Sequence, residues 1–212
     1  MRREPGPGLV TGTSSEYLGS RPARKIFRQR LTVVVMGPSG VGKTTVAMKL
    51  AQLDGAKPCR LDTVAVANEV VHRARLGRWS TRVLEQPALV LDGPTYLRDR
   101  PGVVELLCDL VRSRMNAGLR TIICEQNNDG STHAVLQGMP VGSVAVLGLR
   151  FPRSRAGRMR FARRTCSKMG IDPRLARGTD AIEPWAYDEV AALLRALATE
   201  RVTQGDTVTL TT

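Results

Sequence analysis

Short apolar runs alternate with longer amphipathic segments between residues 30 and 200 of the chain. The runs hold four to six residues and are rich in Val, Ile and Leu, which is typical of strands buried on both faces of a sheet. Strands that alternate with helices predict an α/β fold with a parallel sheet. The predicted strands are Leu31–Met36, Ala88–Leu91, Thr121–Cys124 and Val144–Leu149.

Proline, glycine and threonine mark the ends of the predicted helices. Thr63 is placed to cap a helix that Gly77 ends, because a threonine hydroxyl accepts a bond from a first-turn amide and glycine suits the left-handed position after a helix. Pro101 predicts the start of another helix, since proline is favoured at the first helical position. Apolar spacing of three and four residues predicts two more helices, at Thr44–Leu53 and Tyr187–Thr199.

The ends of the chain differ in composition from the alternating region. Residues 1–22 are rich in Gly, Pro, Ser and Arg and show no apolar periodicity, which predicts a disordered basic tail. Residues 201–212 are Thr-rich and are predicted to form a flexible tail. Between the tails, we divide the chain into a core at residues 23–150 and an Arg-rich helical lid at residues 151–200.

Charge and cysteine content narrow the class of protein. The 212 residues carry a formal net charge of +13, which indicates an anionic partner. The alternative is an Arg-rich composition that serves only solubility or follows a GC-rich genome.

No run approaches the roughly 18 apolar residues of a membrane span, and the N-terminus lacks the apolar core of a secretory signal. We therefore expect a cytoplasmic protein without a membrane partner. Its four cysteines lack zinc-site spacing and are predicted to be reduced thiols: Cys59, Cys108, Cys124 and Cys166.

A glycine-rich motif stands between the first predicted strand and the helix at Thr44. It reads GPSGVGKT and matches GxxxxGK[ST], whose backbone amides hold nucleotide phosphates when the motif joins a strand to a helix. Lys43 is predicted to contact the β- and γ-phosphates, and the Thr44 hydroxyl to ligate Mg²⁺. The predicted cofactors are therefore ATP or ADP with Mg²⁺. The predicted nucleotide-binding residues are Gly37, Pro38, Ser39, Gly40, Val41, Gly42, Lys43, Thr44 and Thr45.

An acid ends the second predicted strand, in the sequence LVLD that stops at Asp92. P-loop proteins hold Mg²⁺ with a carboxylate at such a place, so we predict that Asp92 and Thr44 are the metal-binding residues. Many P-loop ATPases carry a second acid directly after the first, where it polarises the attacking water. Gly93 occupies that position here, so the obvious catalytic base is missing.

The sequence from Cys59 onward resembles the DnaA family, the bacterial replication initiators of the AAA+ class. The segment CRLDTVAVANEVVHRARLGRWSTRVLEQPALVLDG is similar to that family's strand–helix–helix–strand run, and TYLRDRPGVVELLCDLVRSRMNAGLRTIICE to its next helix and fourth strand. The resemblance covers roughly residues 30–197. It implies a P-loop NTPase three-layer sandwich with a mainly parallel sheet and a small C-terminal helical lid. We expect an isolated ATPase module without the family's helix-turn-helix domain, like its short regulatory members.

The resemblance also implies roles for single residues. The family's polar sensor ends the fourth strand, where this sequence has Glu125 or Gln126, with Asn127 and Asn128 as less favoured substitutes. Either of the first two is placed to contact a γ-phosphate or an attacking water. The residues that match the family's nucleotide and metal positions are Gly37, Gly42, Lys43, Thr44 and Asp92. The candidate catalytic residues are Lys43, Asp92, Glu125 and Gln126.

Two arginines that the family uses in hydrolysis have no counterpart in this sequence. The segment that holds the arginine finger reads LQGMPVGS, and the second sensor arginine is absent from Trp185 to Asp188. Loss of an arginine finger typically costs a factor of about 10³ or more in rate. We therefore expect a weak ATPase whose hydrolysis is slow or depends on a partner.

Basic residues are concentrated between Arg150 and Arg177, where Asp172 is the only acid. Apolar residues at helical spacing place some of them along one exposed side of a predicted helix. That side has three interpretations that remain open: a solvated helix face, a surface for nucleic-acid phosphates, or a lid over nucleotide phosphates. The residues of this basic face are Arg153, Arg160, Arg164 and Lys168.

Two functions fit the sequence. The first is an ATP-binding switch that acts on DNA or on a DNA-bound protein through the basic face and self-associates in an ATP-dependent manner. The second is a small P-loop kinase, because GPSGVGKTT and Asp92-Gly93-Pro94 also resemble nucleotide kinases and the Arg-rich segment would serve as their lid. We favour the switch, since no acceptor pocket is recognisable before Asp92 and the helix from Pro101 follows the initiator order.

Overall fold

The computed structural model describes residues 9–12, 31–53, 55, 57–93, 100–126, 139, 143–181 and 187–203. The chain divides into two compact units, one of residues 1–38 and 42–150 and the other of residues 39–41 and 151–212. The first unit contains a sheet with helices, and the second is helical. Within the described part, no helix has the length and apolar character to cross a membrane.

The sheet of the first unit consists of β1 (Leu9–Gly12), β2 (Thr32–Gly37), β3 (Cys59–Leu61), β4 (Ala88–Asp92), β5 (Arg120–Gln126) and β6 (Val144–Leu149). Its strand order is β1-β6-β2-β5-β4-β3, and every neighbouring pair is parallel. The predicted parallel sheet and its four predicted strands are confirmed. Because β2 lies between β5 and β6, the loop that follows it leaves from the middle of the sheet.

Strand β1 lies in a segment whose composition predicts disorder. Composition assigns residues 1–22 to a disordered tail, yet residues 9–12 form an edge strand that pairs with β6. The rest of this tail lies outside the described residues. At the other end, residues 201–203 of the predicted flexible tail belong to the last helix (Tyr187–Thr203), and residues 204–212 lie outside the described residues. A strand of four residues is too short to show a periodic pattern, so its pairing with β6 was not predictable from periodicity.

Helices of the first unit cover both faces of the sheet. They are α1 (Lys43–Ala51), α2 (Thr63–Leu76), α3 (Thr81–Leu84) and α4 (Pro101–Asn116). Val34, Leu91 and Ile123 pack with residues of α2 and α4 in one core cluster. Val33 and Val35 alternate with Val34 and therefore point to the opposite face, where α1 contacts β2, β4 and β5. This arrangement confirms the predicted three-layer α/β sandwich.

The second unit consists of α5 (Arg155–Met169), a 3₁₀ helix (Pro173–Ala181) and α6 (Tyr187–Thr203). Ser154 caps α5, because its Oγ accepts a hydrogen bond from the amide of Gly157 at 3.2 Å. Phe151 and Phe161 pack edge to face with ring centroids 5.6 Å apart. The small core of this unit contains Ala162, Cys166, Ala176, Val190 and Leu194. A small C-terminal helical unit is therefore present, as the fold prediction required.

The N-terminal cap of α2 is Asp62 and not Thr63, the residue predicted from the sequence. The Asp62 carboxylate accepts a hydrogen bond from the amide of Ala65 at 2.9 Å. Gly77 ends the helix with a φ of 68°, as predicted. The Thr63 hydroxyl instead donates to the carbonyl oxygen of Gly93 at 3.2 Å and so links the start of α2 to the residue after β4.

A fully buried arginine, Arg114, joins three elements of the first unit. Its Nε donates to the Thr121 hydroxyl at 3.0 Å, and its Nη atoms donate to the carbonyl oxygens of Val83, Gln86 and Arg120. Burial lowers the pKa of Arg114 to about 10. A buried guanidinium is tolerated when its N–H groups are paired, and here they bind the end of α4 to the segment before β4 and to the start of β5. No local sequence pattern predicts this contact.

We expect Arg114→Met to lower the free energy of unfolding by about 3 to 5 kcal/mol, because several buried carbonyl oxygens lose their donors. The matched control is Arg112→Met on the same helix, where the side chain is 47% exposed and lies 3.6 Å from Asp109. That control should change the unfolding free energy by about 0.5 kcal/mol or less. Urea denaturation measures both values, and equal losses in the two variants would contradict the role of Arg114.

Candidate nucleotide-binding site

The glycine-rich loop connects the carboxyl end of β2 to the first residue of α1. Gly37, Gly40 and Gly42 have φ angles of 152°, 71° and 99°, in a region that residues with a side chain rarely adopt. Gly42 precedes α1 and provides no side-chain cap, so the helix dipole and the first-turn amides of α1 favour an anion at this end. Among the other predicted loop residues, Val41 is buried, Pro38 and Thr44 are partly exposed, and Ser39 and Thr45 are exposed.

The Lys43 ammonium group is held at the start of this loop. Its Nζ donates to the carbonyl oxygens of Gly37 at 2.9 Å and Pro38 at 2.7 Å. Burial lowers the pKa of Lys43, while acidic neighbours that include Asp92 and Glu125 act in the opposite direction. The two acceptors of Lys43 are neutral, so an anion that entered the loop would replace them favourably.

The Thr44 hydroxyl and the Asp92 carboxylate are in direct contact. Thr44 Oγ1 donates to Asp92, with distances of 2.9 Å to Oδ2 and 3.1 Å to Oδ1. The bond joins the first turn of α1 to the last residue of β4. Hydroxyl and carboxylate oxygens are the hard donors that Mg²⁺ prefers. The residues present therefore fit a Mg²⁺ ion, which Thr44 and Asp92 would hold beside nucleotide phosphates.

Arg60 on β3 is a residue of this site that was not predicted from the sequence. Its Nε and Nη2 donate to Oδ2 of Asp92 at 2.9 Å and 2.6 Å. The side chain of Arg60 is 49% exposed, whereas that of Asp92 is 15% exposed. β3 has three residues, and no sequence pattern connects its central residue to an acid on the neighbouring strand.

Strand β5 places the two candidate sensor residues beside the loop. Gln126 is opposite Gly37 in the pairing of β2 with β5, and Glu125 comes one residue earlier. Glu125 is 2% exposed and alternates in phase with Ile123, which packs in the core cluster of α2 and α4. Gln126 is partly exposed and points to the other face, the one covered by α1. The structure therefore separates these two residues onto opposite faces of the sheet.

Other predicted features lie outside the described residues. Asn127, Asn128 and Trp185 belong to undescribed segments. In the segment LQGMPVGS, the structure describes Met139 and Ser143. The absence of the family's arginine finger and second sensor arginine therefore stays a prediction from the sequence.

The basic face lies in the second unit and is exposed. Arg160, Arg164 and Lys168 recur every four residues along α5, while Arg153 precedes the helix. None of these four side chains forms an ion pair with an acidic residue of the described segments. The predicted exposure is confirmed, and the three interpretations of this face stay open.

Comparisons with known proteins bear on the fold. No family model matches the sequence, and no curated protein matches it. Domain III of the replication initiation protein DnaA from Thermotoga maritima superposes with a TM-score of 0.67 at 16% identity, over 93% of this chain and 87% of that chain. This chain has the fold of DnaA domain III. The DnaA resemblance drawn from the sequence is thereby confirmed at the level of the fold.

Two further solved structures share this fold. AMPPCP-bound DnaA from Aquifex aeolicus has a TM-score of 0.61 at 10% identity, over 94% of this chain and 65% of that chain. A RuvB variant from Thermotoga maritima has a TM-score of 0.59 at 15% identity, over 94% of this chain and 68% of that chain. The chain thus spans about two thirds of the length of these two proteins.

We expect Lys43→Ala to weaken the binding of a fluorescent ATP analogue by about 100-fold or more, because a charge-assisted contact to phosphate is lost. Lys49→Ala is the matched control, since Lys49 is exposed near the other end of α1. The affinity of the Lys49→Ala variant for the ATP analogue should equal that of the wild type. Unchanged affinity in Lys43→Ala would contradict the assignment of the loop as the phosphate site.

Proposed function

We propose that this chain is an AAA+-like nucleotide switch that binds ATP or ADP with Mg²⁺. Its ATP hydrolysis is slow or depends on a partner, and it acts on DNA or on a DNA-bound protein. The observation that carries the proposal is the contact of 2.9 Å between the Thr44 hydroxyl and the Asp92 carboxylate, directly after the glycine-rich loop. The same fold in AMPPCP-bound DnaA supports a nucleotide as the ligand.

The loop and the strand ends beside it have separate tasks in this proposal. The amides of the glycine-rich segment and of the first turn of α1 bind phosphate oxygens. Lys43 exchanges its two carbonyl acceptors for the β- and γ-phosphates. Thr44 and Asp92 would hold the metal, and Mg²⁺ would neutralise charge on the phosphates. Gln126, on the face covered by α1, is the better placed of the two sensor candidates, and Glu125 tunes the charge near Lys43.

The position after Asp92 gives a structural reason for slow hydrolysis. Gly93 has a φ of 86°, and a Cβ at that position would lie 2.6 Å from the Thr63 hydroxyl oxygen. That hydroxyl also donates to the Gly93 carbonyl oxygen. A second acid therefore does not fit where many P-loop ATPases place the residue that polarises water. The site therefore favours binding of the nucleotide over its hydrolysis.

The basic face supports an anionic partner. Arg160, Arg164 and Lys168 lie along one side of α5, a geometry that suits contacts with successive phosphates. Aromatic residues for base stacking are few near these positions, so we expect binding that depends on charge and has little sequence preference. Self-association on binding ATP is the accompanying proposal, because ATP-dependent assembly belongs to the AAA+ resemblance.

Purified protein with ATP and Mg²⁺ should release ADP at about 0.01 per second or more slowly, the range of P-loop NTPases that lack a partner's help. Small phosphoryl acceptors should leave this rate unchanged. Gly93→Glu should not accelerate it, because the positive φ and Thr63 oppose a side chain there. Several acceptor-dependent turnovers per second would contradict the switch and favour the small P-loop kinase.

Affinity for single-stranded DNA should fall as salt concentration rises, because bound phosphates release counterions. The double variant Arg160→Gln/Arg164→Gln should bind about tenfold or more weakly, and its salt slope should be smaller by about 1 to 1.5. Arg75→Gln/Arg112→Gln removes the same charge from exposed positions of α2 and α4 and should bind like the wild type. A mobility-shift assay in which both double variants weaken equally would show an effect of net charge and contradict the basic face as the binding surface.

A further inference from the structure

Arg60 and Asp92 meet because they lie on the same face of neighbouring strands. Leu61 packs in the core cluster of α2 and α4, so Arg60, which precedes it, points to the opposite face. Leu91 packs in that cluster too, and Asp92 follows it. Both polar side chains therefore reach the face on which the Thr44 hydroxyl lies.

Three donors converge on one oxygen of Asp92. Oδ2 accepts from Arg60 Nε at 2.9 Å, from Arg60 Nη2 at 2.6 Å and from Thr44 Oγ1 at 2.9 Å. The guanidinium and the hydroxyl thus occupy Oδ2, one of the two oxygens that Asp92 would offer to a metal. A guanidinium at this distance also neutralises the charge with which a carboxylate attracts Mg²⁺.

We propose that Arg60 sets the metal dependence of the nucleotide site by competing with Mg²⁺ for the Asp92 carboxylate. The inference rests on the proposed nucleotide site and adds a positioning residue to it. Without metal, Arg60 holds Asp92 against the Thr44 hydroxyl and compensates its charge. When Mg²⁺ binds with the nucleotide, the guanidinium leaves Oδ2.

The exposure of Arg60 makes this exchange accessible. With 49% of its side chain exposed, Arg60 moves into solvent without disturbing the core, and its charge is then hydrated. An ion pair with such an exposed partner is weak compared with a buried one, so a divalent cation delivered with phosphates displaces it. The consequence is a higher Mg²⁺ requirement than Thr44 and Asp92 alone would impose.

The test is a titration of Mg²⁺ into protein that contains a fixed amount of a fluorescent ATP analogue. The measured quantity is the Mg²⁺ concentration at half-maximal binding, so the readout does not depend on hydrolysis. Arg60→Gln should lower this concentration by about two- to fivefold, because the competing cation is gone and an exposed ion pair of this kind contributes no more than that. Arg60→Lys should lower it less, since an ammonium keeps the charge but lacks the two-pronged contact. Arg78→Gln, which removes an exposed arginine after α2, should match the wild type.

The same titration in an Asp92→Asn background isolates the interaction between Arg60 and Asp92. Arg60→Gln should cause no shift there, because its partner carboxylate has been removed. An unchanged or higher Mg²⁺ requirement in Arg60→Gln alone would overturn the proposal. If the wild type fails to bind the analogue at any Mg²⁺ concentration, the nucleotide site itself is wrong. Binding with an unshifted Mg²⁺ requirement contradicts only the role of Arg60. Urea denaturation of each variant verifies that it is folded.

Discussion

The register of the parallel strands β2, β5 and β4 is the constraint on which the candidate site depends. Gly37 lies opposite Gln126, and Cys124 lies opposite Asp92, so the three strands end near one level of the sheet. A slip of one residue in any strand would turn its side chains to the other face and would separate Asp92 from Thr44. Packing of the apolar strand residues against helices on both faces holds this register. Packing of the core therefore fixes where the Asp92 carboxylate lies.

The elements with a clear period, and the loop with a strict motif, were predictable from the sequence. The choice of Lys43, Thr44 and Asp92 as candidate site residues was possible from residue type and context alone, because the strand, loop and helix signals agree there. Arg60 and Arg114 were not predictable, since each depends on a partner brought close by strand pairing or helix packing. A polar residue within an amphipathic helix is normally read as solvent-facing, and Arg114 breaks that rule because carbonyl oxygens surround its guanidinium. Tertiary contacts of this kind leave no local signal.

The short segment from Arg60 to Thr63 affects the site more than its sequence suggests. Arg60 binds the metal-site acid, and Thr63 fills the space beside Gly93. Asp62 takes over the cap of α2, which leaves the Thr63 hydroxyl free to reach the Gly93 carbonyl oxygen. In the proposed mechanism, the motif residues hold the nucleotide. The segment beside them restrains both metal loading and water activation in the proposed mechanism.

The buried guanidinium of Arg114 has a consequence for how the protein unfolds locally. It is bonded at once to the segment before β4 and to the first residue of β5, whose amide also donates to the Pro87 carbonyl oxygen at 3.0 Å. Neither strand can fray at this end without leaving a charged donor buried and unpaired. We therefore expect this corner to unfold as one cooperative block, with amide protons that exchange with solvent at the slow rate of the whole core.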